Sequence, residues 1–200
     1  MRAVLTHTVI ILTLSTLLFI FQPDSHQWFA YYHSAIEKGQ LWRLVTAHFC
    51  HTNGYHLLLN GIGLVVVVSL FFDTYKKQRL LPLLLFSALF ISLCLFFIEP
   101  TTQGYVGLSG VLHGLFAFGV CDELRKKDKW GIILGVGFIA KIAFEQFNGP
   151  SASTESLIGA TVLINAHLYG AIAGVVYFLC AQIWHVSKVK YVVKNNITNK

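Results

Sequence analysis

The sequence predicts an all-α, polytopic membrane protein: a single domain of six helices, residues 1–200, with a fourth helix whose apolar part is too short to cross. Three observations carry this prediction. The chain of 200 residues is 55% hydrophobic and only 12% charged, about half the charge share of an ordinary soluble domain. Its mean hydropathy is +0.63. Five apolar runs reach the roughly 17–20 residues that a bilayer crossing needs, and lysine and arginine segregate between the loops. Disorder and a small disulfide-stapled secreted domain are excluded by the same composition. The net charge of +6 does not mark a nucleic-acid partner, because the basic residues are not spread over a soluble face.

The first run, Val4–Phe21, follows Arg2 and lacks a small-residue cleavage site after it, so it reads as a retained helix rather than a removed signal peptide. His56–Phe72 and Leu80–Ile98 follow as uninterrupted apolar stretches. Ser109–Cys121 is the short fourth, ended by Asp122, Glu123 and Arg125. The fifth, Trp130–Phe147, contains Lys141 and Glu145. Unpaired charges in such a helix cost at least about 2.5 kcal/mol each, so these two, one turn apart, are expected to pair. The sixth is Thr161–Val186, after which Lys194–Lys200 reads as a solvated tail. Cys50, Cys94, Cys121 and Cys180 show no Cys-x-x-Cys spacing and read as buried thiols.

One set of loops and ends receives Arg2, Lys76, Lys77, Arg79, Arg125, Lys126, Lys127, Lys129, Lys188, Lys190, Lys194 and Lys200; the other receives only Lys38 and Arg43. Positive residues stay on the cytoplasmic side, so both termini are expected there. Trp28, Phe29, Tyr31, Tyr32, Trp42, Phe49 and Tyr55 in the first outer loop suit the bilayer interface.

Candidate chemistry follows from depth. Ser109–Cys121 spans about 20 Å of a hydrocarbon layer about 30 Å thick. Its start therefore sits about 10 Å below the outer surface, beneath the irregular Thr101–Leu108 segment. Such backbone is tolerated at membrane depth only inside protein or beside a water-filled cavity. Ser109 stands at that start within Gly107-Leu108-Ser109-Gly110. It is either a helix cap or a nucleophile beside the unpaired N–H groups of a first turn. His167 precedes Gly170-x-x-x-Gly174 by one turn, and small residues at that spacing allow close helix packing. Counting from Thr161 puts His167 about 9 Å down, level with Ser109. An imidazole there can take the serine proton and return it to a leaving amine. His56 and Asn60 share one helix face and complete an oxyanion hole with the Ser109 N–H. His48, His51 and His56 offer a zinc alternative, but no carboxylate or His-Glu-x-x-His pattern accompanies them. No metal or cofactor is expected. His113, one turn below Ser109, either shapes the pocket or makes an interhelical hydrogen bond.

Together, Trp42-Arg43, Thr46, His51, His56-x-x-x-Asn60, Gly107-x-Ser109-Gly110 and Ala166-His167-x-x-Gly170-x-x-x-Gly174 resemble the rhomboid intramembrane serine proteases. The resemblance implies a rhomboid-like bundle with Ser109 as nucleophile, His167 as base and acid, and His56, Asn60 and the Ser109 N–H as oxyanion donors. It makes Trp42, Arg43 and His51 structural, gives no role to His48, and makes the fifth helix a substrate gate. The small size, Gly107–Gly114 and the Lys141–Glu145 pair are similar to the rhombosortase subgroup. That subgroup implies membrane-anchored substrates with a Gly-Gly C-terminal sorting tail, and a bacterial inner-membrane site open to the periplasm. A general rhomboid protease, an inactive client-binding relative, and a small transporter with a proton path through His167, Lys141 and Glu145 are the other readings.

Overall fold

The structure, a computed structural model, describes residues 2–76 and 80–198, with side chains described as far as Trp184. Lys77, Arg79 and Lys200 of the charge pattern lie outside the described residues, as do the side chains of Lys188, Lys190 and Lys194.

Helix α1 covers Arg2–Ile20. The long first connection folds into α2 (Asp24–Phe29), strand β1 (Tyr31–Tyr32), α3 (His33–Glu37), α4 (Arg43–Thr46) and a 3-10 turn at Ala47–Phe49. Then come α5 (Gly54–Leu70), α6 (Phe72–Tyr75), α7 (Leu80–Ile98), β2 (Gly104–Tyr105), α8 (Ser109–Arg125), α9 (Lys129–Asn148), α10 (Ala152–Ile158) and α11 (Ile164–Thr198). Among the described residues the chain is all-α but for one antiparallel pair, in which Tyr31 faces Tyr105 and Tyr32 faces Gly104. That ladder ties the first connection to the segment just ahead of Ser109.

Helices α1, α7, α9 and the Ile164–Trp184 part of α11 are long and apolar enough to cross a bilayer. Helix α5 reaches that standard only together with Arg43–Phe49, from which it bends by 96°. Large apolar side chains point outward along the spans: Val9, Ile139, Phe147 and Trp184 are all more than 60% exposed. Lipid can cover such a surface; water would penalise it. The protein is a multi-pass membrane protein.

The core lies around α8, whose Val111, Leu115 and Phe118 are wholly buried, with Leu64 of α5, Leu84 and Ile91 of α7, and Ala173 of α11. Helix α8 is 17 residues long, one turn beyond the apolar stretch read from the sequence. Asp122 makes that extra turn possible. Its buried carboxylate accepts from Thr74 Oγ1 at 2.7 Å, Arg125 Nη2 at 2.8 Å and Lys126 Nζ at 2.9 Å, so the polar end continues as helix. Two further expectations change. Helix α11 begins at Ile164 rather than Thr161, and its backbone stays helical to Thr198 through most of the expected tail. Of the four thiols only Cys50 is buried, and Cys180 of α11 is exposed.

Candidate active site

The first connection is an anchored scaffold. Arg43, only 4% exposed, donates to the carbonyls of Ala30 (2.6 Å) and Gln27 (2.7 Å) and to Gln40 Oε1 (2.7 Å). Trp42 Nε1 donates to Trp28 O at 3.0 Å and Thr46 Oγ1 to Phe29 O at 2.8 Å. These residues knit the loop to itself, the structural part expected of Trp42 and Arg43. His48 is fully buried, and its Nε2 sits 3.0 Å from both Ala88 O and Ser92 Oγ of α7. His51 Nδ1 meets Phe49 O at 3.1 Å, while its ring packs edge-on to His56 with centroids 5.0 Å apart. Among the described residues His48, His51 and His56 do not converge on a common point as metal ligands would.

Ser109 is the first residue of α8; the cap position is Leu108, and no side-chain cap bond forms there. The serine hydroxyl is thus free of capping duty and stands 3.0 Å from His167 Nε2. What brings them together is the packing of α8 on α11. A Cβ at Gly170 would collide with the Gly110 carbonyl, and one at Gly174 with the Gly114 carbonyl, so the two backbones touch as the Gly-x-x-x-Gly spacing predicts. The depth count reached the right pairing from a wrong origin. His167 lies one turn from the observed start of α11, and the irregular 159–163 segment with α10 roofs the site above it.

Between these helices and the first connection lies a cavity of about 480 Å³, lined by Tyr31, His56, Asn60, Tyr105, Ser109 and His167 among others. Gly107, between the lining residues Val106 and Ser109, has φ +116°, and a Cβ there would strike the His56 ring at 2.6 Å. Glycine alone satisfies both the backbone and the contact. Asn60 is 4% exposed, and its Nδ2 has no hydrogen-bond partner. His56 Nδ1 is 3.1 Å from Thr52 Oγ1, whose proton goes to Ile158 O at 2.6 Å, and 3.4 Å from the Thr52 N–H. Burial, and then the Glu99 carboxylate, push the Tyr31 phenol up to about 12, so that wall stays uncharged at neutral pH.

Helix α9 adds groups that sequence reasoning joined to His167 only in the transporter reading and never to Ser109. Lys141 and Glu145 do pair, Nζ to Oε2 at 2.7 Å. Beyond that pairing, the Glu145 carboxylate lies 3.1 and 3.2 Å from His167 Nδ1. Lys141 Nζ also contacts His113 Nε2, the interhelical bond that was one of the two readings of His113. The His113 ring stacks on His167 with centroids 4.1 Å apart and planes 13° off parallel. Their only sequence signal is two charges on one face of an apolar helix; nothing in the spacing shows which helix that face meets. His113, Glu145 and His167 do present ligand-type atoms within 4.8 Å of one another. The Lys141 ammonium already stands among them, so the cation this cluster holds is its own.

Residues 38–182 match the Rhomboid domain family. The chain is also 27% identical over 152 residues to the Bacillus subtilis (strain 168) protein named "Putative rhomboid protease YdcA", covering 76% of this chain and 73% of that one. It is 30% identical over 155 residues to the Arabidopsis thaliana "Rhomboid-like protein 11, chloroplastic", covering 74% of this chain and about half (53%) of that one. With the match spanning every helix from α4 to the membrane part of α11, this chain belongs to the rhomboid family.

Proposed function

We propose that this chain is an intramembrane serine endopeptidase acting through Ser109 and His167. Within the family, we propose that it is a rhombosortase that cuts the Gly-Gly C-terminal sorting tail of exported bacterial surface proteins. The observation that carries the reading is the 3.0 Å approach of Ser109 Oγ to His167 Nε2 at the edge of a cavity that also receives the unpartnered Asn60 amide. Family membership supports it.

In this mechanism Ser109 Oγ attacks the peptide carbonyl carbon as its proton passes to His167 Nε2. The carbonyl oxygen becomes an oxyanion held by the Ser109 N–H and Asn60 Nδ2, with His56 as a third donor. As the C–N bond breaks, His167 returns the proton to the departing amine and an acyl-enzyme remains. Water then attacks the ester carbon, giving its proton to His167, and as the C–O bond breaks His167 returns that proton to Ser109 Oγ, freeing the acid and restoring the pair. A helical peptide bond is shielded by its own hydrogen bonds, so the substrate must unwind first. Each glycine lowers that barrier by about 1 kcal/mol relative to alanine, which fits a Gly-Gly cut region. The charge pattern orients both termini to the cytoplasm and the cavity to the periplasmic side.

The client-binding and transporter readings are less well supported, since neither needs a serine hydroxyl and an imidazole in contact. Labelling by a fluorophosphonate probe tests the proposal. The wild-type chain should be labelled at Ser109, while Ser109→Ala and His167→Ala each lose labelling and cleavage but still insert. A wild-type chain that inserts and resists the probe would refute the protease reading.

A further inference from the structure

We infer that Glu145 is a third, positioning member of the Ser109–His167 pair, the carboxylate of a closed hydrogen-bond ring that begins and ends on Ser109 and fixes the reactive tautomer of the histidine. The inference rests on the serine-protease reading above and extends it to helix α9.

The proton directions follow from what each group is able to donate. The Ser109 carbonyl only accepts, so His113 donates to it from Nδ1, at 2.7 Å. Neutral His113 then has a lone pair at Nε2, where Lys141 Nζ donates. Lys141 donates a second proton to Glu145 Oε2 at 2.7 Å. An ionised Glu145 only accepts, so His167 donates to it from Nδ1, at 3.1 Å to the nearer oxygen. Neutral His167 is left with a lone pair at Nε2, facing Ser109 Oγ at 3.0 Å. The hydroxyl must therefore donate, which is the arrangement that precedes attack. Ser109, His113, Lys141, Glu145 and His167 form one circuit in which each link pairs one donor with one acceptor.

A competing arrangement shows what Glu145 does. Lys141 Nζ also lies 3.5 Å from His167 Nδ1. Were it to donate there, the ring proton would sit on Nε2 and Ser109 would lose its base. The two shorter Glu145 contacts favour the other tautomer. Once His167 takes up the serine proton, the same carboxylate faces the imidazolium and offsets the Lys141 ammonium beside it. Stacking of His113 on His167 holds the ring plane. A carboxylate that orients an imidazole in this way is the usual third member of a serine triad, supplied here from a separate helix.

The test is the rate of Ser109 labelling by a fluorophosphonate in the purified full-length chain, measured against probe concentration. Glu145→Gln keeps the shape but offers an N–H where a carboxylate oxygen stood. It should lower the maximal labelling rate per folded molecule at least about 10²-fold with the half-saturating probe concentration unchanged, while the Lys141 ammonium, left without its carboxylate, lowers the thermal midpoint. Glu145→Asp, which restores the charge at shorter reach, should recover part of the rate. If the single variant fails to insert, Lys141→Met with Glu145→Gln removes both charges together, and the same fall is expected. A fall of less than about tenfold in a folded variant overturns the inference, provided the wild type labels at Ser109. Absence of wild-type labelling would instead sink the protease reading beneath it.

Discussion

Asn60 and His56 share a helix face, yet their hydrogen bonding separates them. The Asn60 amide nitrogen is buried with no partner, and an unsatisfied buried donor costs about 1–3 kcal/mol. A site that keeps such a donor facing a cavity is prepared for an oxygen that arrives with the substrate. His56 donates from Nε2 only in the tautomer whose Nδ1 accepts the Thr52 N–H at 3.4 Å. The closer Thr52 hydroxyl has its proton on Ile158 O, so it favours the opposite tautomer. Asn60→Ala is therefore expected to slow cleavage by about 10²–10³-fold, and His56→Ala by clearly less. Paired kinetic measurements on the two variants check this, and equal losses would return His56 to full standing as a donor. The spacing of His56 and Asn60 was legible in the sequence. Which one holds a free donor was not, because that depends on Thr52 and on α10, about a hundred residues further along the chain.

Among the elements, α8 and α11 set the Ser109–His167 distance on which the proposed catalysis depends. Their glycines replace side chains with backbone contact, so the crossing has almost no slack. Gly170→Val would drive a branched side chain into the Gly110 carbonyl, next to Ser109 itself. Overpacking of this kind typically costs about 1–3 kcal/mol. We expect a lower thermal midpoint together with a loss of Ser109 labelling larger than the loss of folded protein, since a shift of about 1 Å in reacting groups costs about 10²-fold. Labelling per folded molecule, read beside a melting curve, separates the two effects. The far end of α8 behaves differently from the sequence reading. There a buried Asp122 with three partners prolongs a helix that hydropathy alone would stop at Cys121.

For the molecule as a whole, large apolar side chains that face outward as well as inward describe a bundle built for lipid. Helix α9 is the least embedded of the four independent spans, with only 11% of its apolar window buried, although it carries the carboxylate that meets His167. The proposed substrate class is tested at this scale by comparing the C-termini of envelope proteins, by mass spectrometry, with and without the gene. Proteins with Gly-Gly tails should keep those tails in the mutant and lose them in the parent. Unchanged tails beside altered processing of other membrane proteins would leave a general rhomboid protease.

The amino-acid sequence by itself determined the solvent and the cast. Apolar runs, charge segregation and the Ser109, His167 and His56-x-x-x-Asn60 motifs name a membrane bundle and the groups proposed to react, because hydropathy and helical period are local properties. Tertiary structure alone decided three things: the start of α11 at Ile164, the unpartnered amide of Asn60, and the turn of the Lys141–Glu145 face toward His167. Each is settled by how separate helices cross, and proton direction in a ring of five groups depends on all the neighbours at once. No stretch of sequence holds that information.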